Sequence, residues 1–278
     1  MSLAFRRIAL IGKLRSAEIE KSLREMRAFL DKRGCEVLAE GATKADLAIV
    51  IGGDGTMLAA ARELVRHHVP LVGINQGRVG FMTDIGHDDM QSAVGAILDG
   101  KYAIEERALL DAEIVRERKS LLRTIALNEA VIGKGSQGRL IEFDLSIDGE
   151  FVYTLRADGM IVATPTGSTA YALSAQGPIL HPAVSALTLV PLNPHTLSAR
   201  PVSVSDRAAI EILLVRALDA RAHFDGLALA DMAEGDRLLL RRSADVVRFV
   251  HPPGYRYFAT LREKLRWSEA LEKRRAPE

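Results

Sequence analysis

The sequence has one cysteine, almost no excess of either charge and no long hydrophobic run. The single cysteine, Cys35, cannot form a disulfide within one chain, and its apolar stretch CEVLA favours a small buried side chain over a nucleophile. The formal net charge is +1, with basic residues spread among acidic ones. This balance argues against a surface dedicated to nucleic acid.

Membrane and export signals are also missing from the sequence. No run approaches the ~20 apolar residues that cross a bilayer. The stretch MSLAFRRIALIGK leads into a strand-like segment without a signal-peptide cleavage pattern. We therefore expect a cytoplasmic protein with no membrane partner. Hydrophobic residues make up 48% of the chain, which is enough for a sizeable core.

Several familiar site motifs are absent or stand in the wrong context. There is no Walker P-loop, no protein-kinase loop and no H-E-x-x-H, so no resident metal site is expected. The segment GKGSQG, residues 133–138, matches the dinucleotide fingerprint letter by letter. An alternating strand follows it, however, where the fingerprint must open a helix. We interpret this segment as a hairpin loop.

Short apolar strands alternate with amphipathic helices in the first hundred residues. Strands are predicted at Ile8–Ile11, Leu47–Ile51 and Leu71–Ile74. One predicted helix follows a Ser16 cap and stops at Gly34; another, MLAAARELVRHH, stops at Pro70. Because parallel strands need crossover connections, this alternation predicts a mostly parallel sheet.

The pattern becomes β-rich after about Lys101. Residues 141–147 alternate between apolar and polar side chains, and Asp148-Gly149 then supplies a tight turn, which predicts a β-hairpin. Further strands are predicted from DAEIV, ALNEAVI, GMIVAT, AIEILLV, DRLLLRR and VVRFVH. Five prolines between Pro178 and Pro201 indicate an irregular region. Its 191–201 part either places His195 or Arg200 near a site or serves as structural bracing, and bracing is the expected role.

These patterns predict an α/β plus all-β architecture with two domains. Residues 1–103 are expected to form a mostly parallel α/β domain, with the helical segment 255–278 packing back on it. Residues 104–254 are expected to form a β-sandwich-like domain.

The strongest local motif is IGGDGTML, in which a buried strand ends in glycines around Asp54 before a helix begins. Glycines let the backbone approach phosphates, and the first N–H groups of a helix bind anions. Aspartate is also a preferred helix cap, but capping does not explain three glycines. GGDGT and NQGRVGF both follow predicted strands, so we expect them to line one crevice at the carboxyl ends of the sheet.

The motifs together resemble the NAD kinase family of the bacterial type. GGDG at a strand-to-helix turn is shared by NAD kinases, diacylglycerol and sphingosine kinases and phosphofructokinases. GINQGRVGFMTD, LNEAVI, RADGMIVATPTGSTAYALSAQGPILHP and NPHTLSARPV then follow in the order of the NAD kinase pattern. The resemblance implies an NAD kinase/diacylglycerol kinase-like fold, in which the domain of residues 104–254 binds the dinucleotide. It also implies transfer of a phosphoryl group from ATP, or from polyphosphate, to the 2′-hydroxyl of the adenosine ribose of NAD.

The resemblance assigns roles to individual residues as well. Asp54 is expected to act as general base towards the 2′-hydroxyl, with Gly55 touching the dinucleotide. The other implied binding residues are Asn128, Glu129, Arg139, Arg156, Asp158, Thr169, Ala170, Tyr171 and Ser174. Without the family pattern, Asn128-Glu129 would be a solvent-facing strand end. Ser168 is not expected to be a nucleophile, because its neighbours do not form the G-x-S-x-G elbow.

The metal ion, the oligomeric state and two alternative functions are also expected from the resemblance or left open by it. Mg²⁺ is expected to arrive with ATP, held by phosphates with a contribution from Asp54. The resemblance implies a homo-oligomer, a dimer or a tetramer. A diacylglycerol-type lipid kinase and a non-catalytic NADP(H) sensor on the same scaffold stay open as alternatives. Acceptance of NADH, the choice of donor and feedback by NADPH depend on small differences in the pocket.

Overall fold

A computed structural model describes residues 3–12, 17–39, 42–77, 80–136, 138–226 and 228–267. The chain divides into two compact units. The first unit comprises Met1–Glu106 and the return segment from Val247, and the second unit comprises Arg107–Val246. Within the described ranges, no helix combines the length and apolar character needed to span a bilayer.

The sheet of the first unit is built from parallel strands. These are β1 (Arg7–Gly12), β2 (Glu36–Leu38), β3 (Leu47–Ile51), β4 (Leu71–Asn75) and β5 (Ile85–Gly86). They lie in the order β2-β1-β3-β4-β5, and each of these pairings is parallel. Strands β3 and β4 are buried along their whole length, as expected for a sheet covered on both faces. The predicted parallel sheet is confirmed.

Helices α1 (Ala17–Lys32) and α2 (Asp54–Leu64) connect strands of this sheet, and α3 (Met90–Leu98) follows β5. Helix α1 buries Met26 and Leu30 in a cluster with β-strand residues such as Ile49. It ends two residues before Gly34, as predicted, whereas the predicted Ser16 cap lies outside the described residues. Helix α2 continues into a short 3₁₀ turn, Val65–His67, and the chain leaves it before Pro70.

Two sheets make up the second unit. The first contains β6 (Ala103–Arg116), β7 (Lys119–Ala126), β9 (Ile141–Ile147), β10 (Glu150–Ala157), β14 (Ile210–Arg216) and β17 (Arg237–His251). The second contains β8 (Glu129–Lys134), β11 (Gly159–Ala163), β12 (Ala186–Leu192), β13 (Val202–Ser205), β15 (Ala220–Phe224) and β16 (Ala228–Met232). Pairing in the second sheet is antiparallel and follows the order β13-β12-β11-β8-β15-β16.

One hydrophobic core joins the two sheets into the predicted β-sandwich. Phe143 on β9 belongs to the same buried cluster as Ile132 on β8 and Met160 on β11. The hairpin of β9 and β10 is confirmed as well, since the two strands pair antiparallel. Its turn residues Asp148 and Gly149 have φ of 52° and 81°, the positive values that a type I′ turn requires.

Two interpretations of the sequence were wrong. GKGSQG connects β8 to β9, which belong to different sheets, so it is not a hairpin loop. Alternation along β9 indicates a strand but not its pairing partner. DRLLLRR and VVRFVH, predicted as separate strands, lie in the single 15-residue strand β17. Rejection of the dinucleotide fingerprint still stands, because β9 and not a helix follows the segment.

Two further helices are short. Helix α4 (Tyr171–Ser174) follows the TPTGST turn, and α5 (Tyr257–Lys264) lies within the predicted closing helix, whose residues from 268 are outside the described part. The proline-rich region contains strand β12 and then an irregular loop. Arg200 braces this loop by donating hydrogen bonds to the carbonyls of Leu197 at 2.6 Å and Ala199 at 2.7 Å.

Candidate active site

The Asp54 carboxylate is fixed by the loop that follows β4. Oδ2 accepts the backbone N–H of Phe81 at 3.0 Å, and Oδ1 accepts that of Met82 at 3.1 Å. Gly53 is the N-cap of α2 and no side chain caps that end, so helix capping is not the role of Asp54. These hydrogen bonds bring the described residues of the GGDGT and NQGRVGF loops into contact, and the crevice expected between the two loops stays a prediction.

Hydrogen bonds among its own residues hold the loop that follows β4. The Asn75 amide donates to Thr83 Oγ1 at 2.9 Å, and its Oδ1 accepts the N–H of Gly77 at 2.6 Å. The Gly80 N–H donates to the Thr83 carbonyl at 2.9 Å. Thr83 Oγ1 also lies 3.4 Å from Asp54 Oδ1. The backbone N–H groups that face the Asp54 carboxylate are therefore held in position by the loop itself. Arg78 and Val79 of this loop lie outside the described residues.

Gly80 leaves the space that the Asp54 carboxylate occupies. A Cβ atom at position 80 would lie 2.1 Å from Asp54 Oδ1 and 2.3 Å from Thr83 Oγ1. Both distances are far below van der Waals contact. The second glycine of the NQGRVGF motif, Gly80, is therefore required by the close approach of the carboxylate to the loop.

A cavity of about 510 Å³ opens in the second unit. Its volume falls in the range of small-molecule and cofactor pockets. The lining residues are Glu129, Val131, Gly133, Lys134, Asp158, Tyr171, Leu192, Asn193, His223, Asp225 and Gly226. Three of the residues predicted from the sequence, Glu129, Asp158 and Tyr171, are thus brought together around one cavity.

Two buried oxygens next to this cavity have unused hydrogen-bonding capacity. Asn128 and Glu129 are 7% and 8% exposed, and Asn128 Oδ1 and Glu129 Oε2 have no partner within the described part of the chain. Buried polar atoms are nearly always paired in folded proteins. These two oxygens are therefore the natural acceptors for hydroxyl or amide hydrogens of a ligand. Asn128-Glu129 is not the solvent-facing strand end that the local sequence alone would indicate.

Asp225 holds the backbone of this segment in place. Its carboxylate accepts the N–H groups of Leu127 at 2.8 Å, Asn128 at 2.7 Å and Glu129 at 3.1 Å. Sequence reasoning missed Asp225. The dipeptide Asp225-Gly226 is a turn signal after a strand, but a turn signal does not reveal which backbone the carboxylate reaches.

The environment of Glu129 disfavours its ionised form. Burial first and the nearby Asp225 carboxylate second raise the pKa of Glu129 to about 7, against a backbone hydrogen bond from Tyr171 that lowers it. Glu129 can therefore hold a proton near neutral pH and donate it to a ligand acceptor as well as accept.

Replacing Glu129 by glutamine should stabilise the protein at alkaline pH. The pKa of Glu129 is about 7 in the folded state, above the ordinary 4.5. Ionised Glu129 therefore lowers the free energy of unfolding: this loss is absent below pH 4.5, grows between pH 4.5 and 7, and is complete above pH 7. The difference between the two pKa values corresponds to roughly 3 kcal/mol. We expect Glu129→Gln to exceed the parent in unfolding free energy by up to that amount at pH 8, with no gain near pH 4.5, in urea titrations. The exposed Glu150→Gln serves as control; a pH-independent difference for Glu129→Gln would contradict the assignment.

The TPTGST turn packs directly against this segment. Thr164 Oγ1 donates to the Leu127 carbonyl at 2.5 Å, and a Cβ atom at Gly167 would lie 2.0 Å from the Asn128 carbonyl oxygen. Ser168 is buried, donates to the Pro165 carbonyl at 2.6 Å and accepts the Leu180 N–H at 2.9 Å. Ser168 is therefore a structural residue, as its sequence context predicts.

Gly167→Ala should destabilise the second unit and weaken ligand binding together. The clash is with backbone, which cannot rotate away as a side chain can, so we expect a loss of roughly 1–3 kcal/mol or more. Urea unfolding and calorimetric titration with NAD would measure both effects. Gly95→Ala is the matched control, because its nearest neighbour, Phe29 Cζ, lies 3.5 Å from the added Cβ. Parental stability in Gly167→Ala would contradict the predicted packing.

Asp158 lies in a polar cluster at the cavity wall. Lys134 Nζ is 2.6 Å from its Oδ1, and the Asn193 amide donates to Oδ2 at 2.9 Å. The hydrogen bond from Lys134 is the main cause that lowers the pKa of Asp158, with Asn193 second. Lys134 and Asn193 were not predicted, although both stand in segments that the sequence singled out, GKGSQG and NPHTLSARPV.

The remaining predicted residues lie outside the cavity lining. Arg139 and Ser174 are exposed, and Gly55 is exposed in the first turn of α2. Thr169 and Ala170 are half-buried before α4. Arg156 is exposed on β10, where Nε is 3.7 Å from Glu142 Oε2, which places it in a surface ion pair.

Comparison with known proteins identifies the family. Residues 13–102 match the family model of the ATP-NAD kinase N-terminal domain, and residues 127–252 match that of the C-terminal domain. An NAD kinase of Aromatoleum aromaticum is 56% identical over 96% of this chain and 96% of the relative. The chain belongs to the NAD kinase family.

Solved structures of the NAD kinase family share the fold. Yeast NADH kinase complexed with NADH superposes with a TM-score of 0.87 at 22% identity, covering 95% of this chain and 88% of that chain. An NAD kinase from Archaeoglobus fulgidus in complex with ATP gives a TM-score of 0.79 at 27% identity, covering 94% and 98%. The α/β and β-sandwich units described above are thus the family architecture.

Proposed function

We propose that the chain transfers the γ-phosphoryl group of ATP to the 2′-hydroxyl of the adenosine ribose of NAD. The bond from the γ-phosphorus to ADP breaks, the bond to the ribose oxygen forms, and the hydroxyl proton goes to Asp54. The products are NADP and ADP. The observation that carries this proposal is the Asp54 carboxylate, aimed by two backbone N–H groups in a member of the NAD kinase family.

Asp54 is suited to the role of general base. A carboxylate has about four lone-pair sites, and the hydrogen bonds from Phe81, Met82 and Thr83 leave Oδ2 with only one partner. A secondary hydroxyl is a weak nucleophile, and a positioned base typically contributes 10²–10⁴-fold to the rate. The remainder of the acceleration comes from positioning and charge neutralisation.

The dinucleotide is held by the second unit in this proposal. Asn128 Oδ1 and Glu129 Oε2 receive hydrogens from ligand hydroxyl or amide groups, which would satisfy both buried oxygens. Asp158 accepts from the nicotinamide amide, and Tyr171 at the cavity wall supplies a ring surface. From the family resemblance we also propose contacts from Gly55, Arg139, Arg156, Thr169, Ala170 and Ser174.

Mg²⁺ would enter with ATP and neutralise charge on the transferred phosphoryl group. The residues present fit this role, since Mg²⁺ in such sites is bound by one or two carboxylates plus phosphates and Asp54 has lone pairs left. The donor is ATP, with polyphosphate as a second donor. The working protein is a cytoplasmic homo-oligomer, a dimer or a tetramer.

A single assay tests the function against both alternatives. Purified protein is given NAD, NADH or diacylglycerol with ATP or polyphosphate, and NADP, NADPH, phosphatidate and ADP are quantified. We expect NADP to form with ATP and NAD. Phosphatidate formation without NADP would favour a lipid kinase. Dinucleotide binding without ADP release would favour a sensor, and either result would contradict the proposal.

A further inference from the structure

One buried ionic cluster of the first unit takes no direct part in the proposed chemistry. It is centred on His251, the last residue of β17, which is 3% exposed. Its Nδ1 lies 2.8 Å from Asp84 Oδ2, and its Nε2 lies 3.0 Å from Glu105 Oε2. Tyr255 stacks on the imidazole ring with centroids 3.7 Å apart. A single side chain thus links three segments of the chain.

The geometry requires the charged form of the ring. Carboxylates only accept hydrogen bonds, and a neutral imidazole has a single N–H, so contact with both carboxylates at hydrogen-bonding distance needs both nitrogens protonated. Burial alone would lower the pKa of His251, but the hydrogen bonds to Asp84 and Glu105 raise it above its ordinary value. Asp84, Glu105 and Tyr255 are the titratable groups in direct contact with the ring.

Asp84 is covalently next to the donors that aim Asp54. The loop from Phe81 to Thr83 carries both backbone N–H groups and the hydroxyl that face the Asp54 carboxylate, and Asp84 is the following residue. After Asp84 the chain enters β5, which pairs with the end of β4. The loop is therefore fixed at its start by Asn75 and at its end by the contact between Asp84 and His251.

We propose that His251 is a positioning residue for phosphoryl transfer, which bridges Asp84 and Glu105 and so holds the loop that aims Asp54. This inference rests on the proposed function of Asp54. His251 touches neither substrate in this role. Loss of the bridge should let the loop relax and misalign the base, while the dinucleotide-binding residues of the second unit keep their positions.

The primary test compares His251→Gln with the parent enzyme by steady-state kinetics. The imidazolium carries one N–H on each side of the ring, one for each carboxylate. The glutamine side chain is neutral, and its single amide nitrogen cannot take the place of both ring nitrogens. We expect kcat to fall roughly tenfold or more, since small misplacements of a catalytic group are costly, with KM for NAD unchanged. The parent kcat should also decline as pH rises through the pKa of the imidazolium, and this limb should disappear in His251→Gln.

A double-mutant cycle tests whether the effect passes through Asp84. If His251 acts by holding Asp84, Asp84→Asn should lower kcat similarly, and His251→Gln combined with Asp84→Asn should cost little more than either change alone. Arg248→Gln is the matched control on the same strand, because it removes only the exposed ion pair with Glu106 at 3.1 Å. Its kcat should equal that of the parent.

The outcomes separate this inference from the function beneath it. A parent enzyme that forms no NADP contradicts both. A parent that forms NADP, with His251→Gln matching Arg248→Gln in kcat and pH profile, overturns the positioning role alone, whatever happens to stability. If His251→Gln does not fold, Glu105→Gln decides: it removes one of the two carboxylates that stabilise the imidazolium, so the pH limb of kcat should move to lower pH, and an unchanged limb would overturn the positioning role.

Discussion

Asp54→Asn should lower turnover by about 10²–10⁴-fold while the protein still folds. The asparagine amide cannot accept the proton of the ribose hydroxyl. In the parent, the N–H groups of Phe81 and Met82 each bond to a separate oxygen of Asp54. The asparagine side chain has one oxygen and one NH₂ group, so its NH₂ group faces one of these two N–H groups and leaves it unpaired. We therefore expect a stability loss of about 1–3 kcal/mol from the unpaired donor alongside the loss of activity.

Asp46→Asn is a control for removing a carboxylate from the same unit. Asp46 Oδ2 accepts the backbone N–H groups of both Arg6 at 3.1 Å and Arg7 at 2.9 Å, and Oδ1 accepts the Arg7 guanidinium. Asparagine can keep both backbone bonds through its carbonyl oxygen but loses the ion pair with Arg7, so this variant should keep its NADP-forming activity. Turnover by Asp54→Asn that stays near the parental value would exclude Asp54 as the base.

Gly80→Ala should remove most activity and also cost stability, because the displaced carboxylate leaves the N–H groups of Phe81 and Met82 without their partner. The added methyl group would overlap the Asp54 carboxylate and the Thr83 hydroxyl, both of which are side-chain ends that can rotate away. Relief of the clash therefore turns the carboxylate away from its two backbone donors. A catalytic group displaced by about 1 Å costs roughly 10²-fold in rate, and we expect a fall in kcat of that order.

Gly86→Ala controls for a glycine replacement in the same region. Its φ is −70° and no atom lies within 4 Å of the added Cβ, so alanine fits there without strain. Gly86→Ala should unfold at nearly the parental urea concentration and keep NADP formation, whereas Gly80→Ala should lose both stability and NADP formation. Equal activity of the two would show that the position of the carboxylate does not matter.

The sequence predicted those features of the fold that depend on local periodicity. The strands around Ile49 and Ile74, the helix that stops near Gly34 and the Asp148-Gly149 turn all follow from the spacing of apolar, glycine and turn residues. Pairing between strands does not follow from spacing. That is why GKGSQG was assigned to a hairpin, although its flanking strands enter different sheets.

Recognisable motifs led to the candidate site residues. Asp54, Glu129 and Asp158 stand in such motifs, and their roles, like those of the other assigned residues, stay predictions. Asp225 and His251 were missed because they act on partners 96 and 167 positions away, Glu129 and Asp84 respectively. Contacts over such separations are set by sheet topology, which one sequence read locally does not reveal.

The unpaired oxygens of Asn128 and Glu129 imply that a ligand bound to them stabilises the folded chain. A ligand that binds only the native form shifts the unfolding equilibrium in proportion to the logarithm of its concentration over its dissociation constant. Here the bound ligand would also donate hydrogen bonds to Asn128 Oδ1 and Glu129 Oε2, the two buried oxygens that have no partner in the described part of the chain. The midpoint of thermal unfolding should therefore rise with the logarithm of the dinucleotide concentration.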